Sequence, residues 1–233
     1  MVCAQTGSGK TAAFLLPVMS ALMPSGNLST PADRTCCPRC LIIAPTRAEV
    51  FEIYNDARKF AFGTVLHVAC CYGGASVMEQ RQTLSPGSTI LVATLGRLKH
   101  FISEGYISLR EIKYLILDEA DRMLGKSFED SMKYILKHES LSAREDRHTF
   151  MFSATFPAEL QLLASQHLKK DYLIIAVGGI GVANKCIIQE IIECTSIADK
   201  KERLLELLNF DMKRYEVAKG TFNQVYLYMW LLL

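Results

Sequence analysis

Six short apolar runs of strand length, with stretches of helical character between them, constrain this chain most. The runs are Leu41–Ala44, Val65–Cys71, Thr89–Ala93, Lys113–Leu117, Thr149–Phe152 and Tyr172–Val177. They are rich in Ile, Leu and Val, as strands covered on both faces of a parallel sheet are. Between them, residues 47–62 place Val50, Ile53, Tyr54, Ala57, Phe60 and Ala61 at i, i+3, i+4 spacing, which marks a helix with one apolar stripe. Helices are also expected at 11–23, 98–104, 128–138 and 158–169. This alternation predicts a three-layer α/β domain, a mostly parallel sheet with helices on both faces and right-handed crossovers.

The pattern also suggests boundaries. Residues 24–40 show no periodicity and read as a surface loop. Gly178, Gly179 and Gly181 interrupt the chain after the sixth run. An extended piece, Ile187–Cys194, and a charged helix, Asp199–Leu208, are expected next, and after Asp211 the pattern dissolves. At 50% hydrophobic and 21% charged residues, the chain has the composition of a folded domain rather than a disordered one. Its 26 Lys and Arg against 24 Asp and Glu exclude a histone-like or tail-driven nucleic-acid binder but leave room for a local basic groove. The longest apolar run, Val225–Leu233, falls short of the roughly 18 residues a membrane span needs, so no membrane association is expected. The first residues lack the basic start and apolar stretch of a secretory signal, and the eight cysteines then read as reduced thiols of a cytoplasmic or nuclear protein.

The most informative motif is Ala4-Gln5-Thr6-Gly7-Ser8-Gly9-Lys10-Thr11, which opens the apolar helical stretch Ala12–Met19. Glycines let consecutive backbone N–H groups close round a phosphate, and the helix N-terminus behind them supplies free donors. Lys10 would reach the β- and γ-phosphates, and the Thr11 hydroxyl would bind Mg²⁺. A second motif, Asp118-Glu119-Ala120-Asp121, directly follows the run that ends at Leu117. A carboxylate there lies on the ligand-binding edge of an open α/β sheet. Asp118 would hold Mg²⁺ through water, and Glu119 would orient or deprotonate an attacking water.

Together the two motifs resemble those of the DEAD-box RNA helicases. Pro45-Thr46-Arg47, Gly73-Gly74, Thr94-Leu95-Gly96-Arg97 and Ser153-Ala154-Thr155 follow in that family's order. Ala57-Arg58-Lys59-Phe60, Asp121-Arg122-Met123-Leu124, Met151–Pro157 and Ala176-Val177-Gly178 resemble its Vasa branch. The resemblance covers residues 1 to about 210. It implies a RecA-like P-loop domain at 1–182, an interdomain linker with the start of a second domain at 183–211, and an unmatched apolar tail at 212–233. It implies ATP and Mg²⁺ as cofactors and single-stranded RNA as partner. Pro45, Thr46, Arg47, Gly73, Gly74, Thr94 and Arg97 fall at positions that hold RNA backbone in the family. Asp121, Ser153 and Thr155 would couple the nucleotide site to domain closure. Cytoplasmic location, including perinuclear or nuclear granules, goes with the same resemblance.

The sequence also departs from the family. The adenine-reading glutamine and the aromatic upstream of the phosphate loop have no counterpart in the three residues before Ala4, and Gln5 belongs to the loop itself. Ala4 stands for the first glycine of the strict loop pattern. The motifs of a second RecA-like domain, with the arginines that reach the γ-phosphate across the cleft, are not found in the 233 residues. The family's Pro-Thr-Arg-Glu-Leu becomes Pro45-Thr46-Arg47-Ala48-Glu49, which sets a charge near the apolar stripe of Ile53. Leu95 replaces a proline that would preset the helix turn after Thr94, itself a candidate helix cap. Gly125-Lys126-Ser127-Phe128 replaces Asp-Met-Gly-Phe on what reads as a surface turn.

Cys37-Pro38-Arg39-Cys40 has zinc-knuckle spacing, but no second Cys pair or His pair accompanies it, so plain thiols are the expectation. Three functions remain open at this stage. One is an ATP-dependent RNA helicase of which this is a part not competent alone. Another is a RecA-like module that binds RNA or a partner without turning over ATP. The third, a P-loop ATPase that is not a helicase, is disfavoured by the ordered RNA-contact motifs.

Overall fold

The structure is a computed structural model; it describes residues 1–5, 7–25, 35–178 and 191–217. Thr6, most of the 24–40 loop, Gly179, Gly181, residues 187–190 of the expected extended piece and the 218–233 end lie outside the described residues. Two compact units divide the chain, Met1–Asn184 and Lys185–Leu233.

The first unit alternates strands and helices: β1 (Val2–Ala4), α1 (Lys10–Leu22), β2 (Cys40–Ile43), α2 (Arg47–Ala61), β3 (Val68–Cys71), α3 (Val77–Leu84), β4 (Ile90–Ala93), α4 (Leu95–Ser103), β5 (Tyr114–Leu117), α5 (Lys126–Leu136), β6 (His148–Ser153), α6 (Ala158–His167) and β7 (Ile175–Val177). The strands form one seven-stranded sheet in the order β3-β4-β2-β5-β6-β1-β7, and every described pairing is parallel.

Side chains alternate across this sheet, and the alternation builds the two outer layers. Cys40, Ile42, Ile90, Val92 and Ile116 join Phe14, Leu15, Val18, Val50 and Ile53 of α1 and α2 on one face. Leu41, Ile43, Leu91, Leu115 and Leu117 join Leu98 and Phe101 of α4, Ile135 of α5 and Leu160 of α6 on the other. Each residue of β2 and β4 is fully buried, which explains why their sequences run apolar without a break.

The edges differ from expectation. The stretch Tyr172–Val177 reads as buried on both faces, yet Ile175 and Val177 of β7 are each 51% exposed, because among the described residues this edge strand pairs with β1 alone. At the other edge, β3 starts at Val68 rather than Val65, and Val65 itself is exposed. Helix α3 forms where no apolar periodicity signals one: Gln80 and Leu84 are its buried residues, and the Ser76 hydroxyl caps it by accepting the Glu79 N–H at 3.3 Å. The expected surface loop 24–40 is buried at its end. Cys36 bridges to Ile107, Cys36 and Cys37 are buried, and Cys40 begins β2. Cysteine there acts as a small core residue. Residues 126–128 start α5 instead of forming a surface turn, and Phe128 packs partly buried against the core.

In the second unit the described segment 191–217 carries α7 (Ile197–Val217), longer than the expected Asp199–Leu208. Ser196 accepts the Asp199 N–H at 3.1 Å, and Asp199 accepts from the Thr195 N–H at 2.9 Å, a reciprocal cap that fixes the helix start.

Candidate nucleotide and RNA site

In a parallel sheet all strand C-termini lie on one edge, and the sequence motifs all follow strands. The glycine loop follows β1, Asp118 follows β5 and Thr155 follows β6. Thr46 and Arg47 follow β2, Gly73 and Gly74 follow β3, and Thr94 and Arg97 follow β4. The strand order therefore sorts them. The candidate nucleotide groups occupy the β5-β6-β1 half of the edge and the candidate RNA groups the β3-β4-β2 half.

The loop after β1 turns through Gly7 and Gly9, both at positive φ (79° and 86°), with nothing within 4 Å of where a Cβ would stand. Both features suit an anion cradled by backbone N–H groups. Gly9 is the N-cap of α1 and no side chain caps the helix, which leaves first-turn donors for a ligand. Lys10 Nζ donates to the Ala4 carbonyl at 2.8 Å, so the ammonium lies folded across its own loop. A mainly apolar pocket of about 750 Å³ adjoins Ala4, Ser8 and Lys10, with Phe14, Pro17 and Tyr172 among its walls.

Asp118 is buried at the end of β5, and its Oδ1 accepts the Glu119 N–H at 3.1 Å. Burial raises the pKa of its carboxyl, against the pull of the nearby Lys10 charge. A buried carboxylate near a lysine, with a threonine hydroxyl in the first turn of α1 on the same sheet edge, is the kind of oxygen donor set a hard dication with retained waters takes up. The residues therefore fit Mg²⁺ carried by a nucleotide phosphate.

Glu119 has φ 50° and ψ 47°, the one positive φ outside glycine among the described residues. Such a backbone is disfavoured for a side-chain-bearing residue and persists where its surroundings fix it. Arg122 donates through Nη1 to Glu119 Oε2 and also to Glu49 Oε1. Burial, followed by the neighbouring Glu49, raises the Glu119 pKa, and the Arg122 hydrogen bond opposes the rise. Asp121 Oδ2 accepts both the N–H (3.1 Å) and the hydroxyl (2.5 Å) of Thr155, while the buried Ser153 Oγ accepts the same N–H at 3.3 Å. These contacts join the end of β6 to the turn after β5.

In the other half of the edge, Thr46 caps α2. Glu49 does not press on the apolar stripe as the sequence suggests. It is the third residue of the helix, closing a reciprocal capping box in which Thr46 N–H donates to its Oε2 at 3.0 Å and Glu49 N–H donates to Thr46 Oγ1 at 3.3 Å. Thr-x-x-Glu is itself a capping signature, and with it the position of Glu49 was readable. Pro45 is buried and Arg47 is exposed, its guanidinium 4.8 Å from the centre of the Tyr72 ring and 5.5 Å from that of Phe51. Thr94 occupies the N-cap position of α4, but its side chain makes no capping bond. Leu95 behind it is buried in the core. Arg97 Nη2 donates to the Ala75 carbonyl at 2.9 Å, bracing the turn of Gly73 and Gly74. Arg97 Nη1 is the buried side-chain polar atom that lacks a partner among the described residues. An unmatched guanidinium donor suits an anionic oxygen.

Among the described residues no group of three or more His, Cys, Asp or Glu side chains could hold a metal ion. Cys37 and Cys40 are both buried, and burial pushes the Cys40 thiol far up. No described helix is long and apolar enough to cross a membrane.

The model of the family described as DEAD/DEAH box helicase matches residues 1–163. The ATP-dependent RNA helicase glh-2 of Caenorhabditis elegans is 45% identical over 222 residues, covering 95% of this chain and 23% of that protein. The probable ATP-dependent RNA helicase DDX4 of Homo sapiens is 45% identical over 208 residues, covering 89% of this chain and 29% of that protein. The chain thus spans between about a quarter and a third of the length of these curated relatives. Among solved structures, the yeast DEAD-box splicing factor Prp28 superposes with a TM-score of 0.70 at 29% identity, over 89% of this chain and 47% of that one. A hypothetical ATP-dependent RNA helicase from Sulfolobus tokodaii superposes with a TM-score of 0.63 at 31% identity, over 76% and 47%.

Proposed function

The chain belongs to the DEAD/DEAH box helicase family, on its Vasa-like branch, and on that premise we propose that its first unit is the ATP- and RNA-binding RecA-like part of an RNA helicase. Residues 1–182 make this part and 183–211 lead on toward a second domain. One observation carries the reading. A glycine cradle with Lys10 after β1, and Asp118 and Glu119 at the end of β5 two strands away, share one sheet edge with Thr46, Arg47, Thr94 and Arg97.

ATP would lay its β- and γ-phosphates on the N–H groups of Gly7–Lys10, with Ala4, Gln5 and Thr6 leading into the turn. Lys10 would swing from the Ala4 carbonyl to the phosphate oxygens. Thr11 and Asp118 would hold Mg²⁺, which when bound neutralises charge on the phosphates. Glu119 would orient a water toward the γ-phosphate and accept its proton. Asp121, Ser153 and Thr155 would carry the state of that site along the edge. RNA would lie along Pro45, Thr46, Arg47, Gly73, Gly74, Thr94 and Arg97, where hydroxyls, guanidinium groups and backbone amides would meet phosphate and ribose without reading bases. The relatives' names support a role with RNA, and a cytoplasmic location, including granules, is what we infer from the resemblance.

Binding of single-stranded RNA is therefore expected to be weak, salt-sensitive and indifferent to sequence. Arg97→Ala should weaken it for every oligonucleotide alike, by about 10-fold or more for loss of a charge-assisted contact. Fluorescence anisotropy on oligo-uridylate and mixed-sequence strands at several salt concentrations measures this. Strong sequence preference, or no response to Arg97→Ala, would contradict the assignment.

A further inference from the structure

The two halves of the edge meet where β2 lies beside β5, and a chain of polar contacts crosses that boundary. Thr46 Oγ1 donates its one proton to Glu49 Oε2 at 2.7 Å. The other carboxylate oxygen of Glu49 accepts from Arg122 Nη1, across 73 positions of sequence. The same nitrogen donates to Glu119 Oε2. Thr46 belongs to the proposed RNA row and Glu119 to the hydrolytic site, so these contacts join the two. The leucine that the family pattern places at this position has no acceptor and could not make them.

We propose that Glu49 is a positioning residue of the hydrolytic site: acting through Arg122, it sets the Glu119 carboxylate and ties that placement to the hydroxyl of Thr46. The proposal rests on the functional reading above. A strand phosphate or 2′-OH that takes up the Thr46 hydroxyl competes with Glu49 for it. The Glu49 carboxylate keeps the Thr46 N–H on Oε2 but, with one donor fewer, turns more of its negative charge on Arg122. Because one guanidinium nitrogen serves two carboxylates, a stronger hold by Glu49 loosens the hold on Glu119, which becomes free to face a water. Glu119 cannot drift far in response, since its N–H is held by Asp118 Oδ1 at 3.1 Å and its backbone sits in the narrow left-handed region. Coupling between sites is reciprocal, so nucleotide must favour RNA by the factor with which RNA favours nucleotide.

The test uses the 233-residue chain, oligo-uridylate and the Mg²⁺ complex of a non-hydrolysable ATP analogue. Each affinity is measured with and without the other ligand, and the ratio is the coupling factor. In the unaltered chain RNA should raise nucleotide affinity by about 5-fold or more. Glu49→Gln keeps an acceptor for the Thr46 N–H and hydroxyl but loses the charge that holds Arg122. It should leave Tm and each separate affinity nearly unchanged and bring the coupling factor to about one. Arg122→Gln breaks the same line from its other end without touching the helix cap and should do the same, and Glu49→Asp should restore part of the coupling. A role confined to capping α2 would move Tm and leave the coupling factor alone. Unaltered coupling in Glu49→Gln and Arg122→Gln, or a factor of one in the unaltered chain, overturns the inference while the functional reading stands. If the chain binds neither ligand, both fail together.

Discussion

RNA-stimulated ATP hydrolysis should be absent from the 233-residue chain alone and should rise by on the order of 10³–10⁵-fold when a second RecA-like domain of a related helicase is joined to it. The reason lies in where charge develops. Phosphoryl transfer spreads negative charge over the γ-phosphate oxygens, and stabilising it takes positive groups on more than one side. In the proposed reading Lys10, and a Mg²⁺ held at Thr11 and Asp118, would serve one side. The family resemblance puts the arginines of the other side in a second domain, and the described residues hold one seven-stranded sheet. Glu119 can orient water in either case, so Glu119→Gln should abolish whatever turnover the joined protein gains. Phosphate release, measured with and without single-stranded RNA, reads both results. RNA-stimulated turnover by the chain alone that Glu119→Gln removes would mean the chain is a complete catalyst.

Lys10→Ala is expected to take Mg²⁺-nucleotide binding below detection. In the ligand-free arrangement the ammonium has the Ala4 carbonyl as its hydrogen-bond partner, 2.8 Å away, a weak hold that a phosphate replaces easily. A hydrogen bond to a charged group contributes roughly 1.5–3 kcal/mol, or about 10- to 150-fold in affinity. The starting affinity is itself expected to be low and to differ little between ATP and GTP, because the pocket beside the loop is mainly apolar. Alanine is a good helix former at the first position of α1, so the fold should survive. Calorimetry with MgATP and MgGTP decides it. Tight, adenine-selective binding, or binding that Lys10→Ala leaves intact, would contradict this placement of the phosphates.

What the sequence discloses follows from how local its signals are. The inner strands are legible because β2 and β4 are buried on both faces and so must be apolar throughout. The glycine loop and Asp118-Glu119 are legible because a phosphate and a dication each demand particular groups at adjacent positions. Elements that bury only one or two residues leave little trace, and α3, with Gln80 and Leu84 as its buried residues, has no stripe to read. Strand β7 misleads for the opposite reason: its apolar residues stand at an edge with a single neighbour among the described residues, where composition promises burial that topology does not supply. The Glu49–Arg122–Glu119 line lay furthest from view. Its capping half is written in Thr46-Arg47-Ala48-Glu49, but the meeting of Glu49 with Arg122 depends on β2 and β5 being neighbours, which no local pattern states.

A crystal structure of the chain with Mg²⁺ and a non-hydrolysable ATP analogue tests most directly the claim that the edge at β5-β6-β1 is a nucleotide site. It should show the β- and γ-phosphates on the N–H groups of Gly7–Lys10, Lys10 Nζ moved from Ala4 to a phosphate oxygen, and Mg²⁺ between the Thr11 hydroxyl and the waters held by Asp118. A nucleotide bound elsewhere, with Lys10 still on the Ala4 carbonyl and no metal near Asp118, would contradict it.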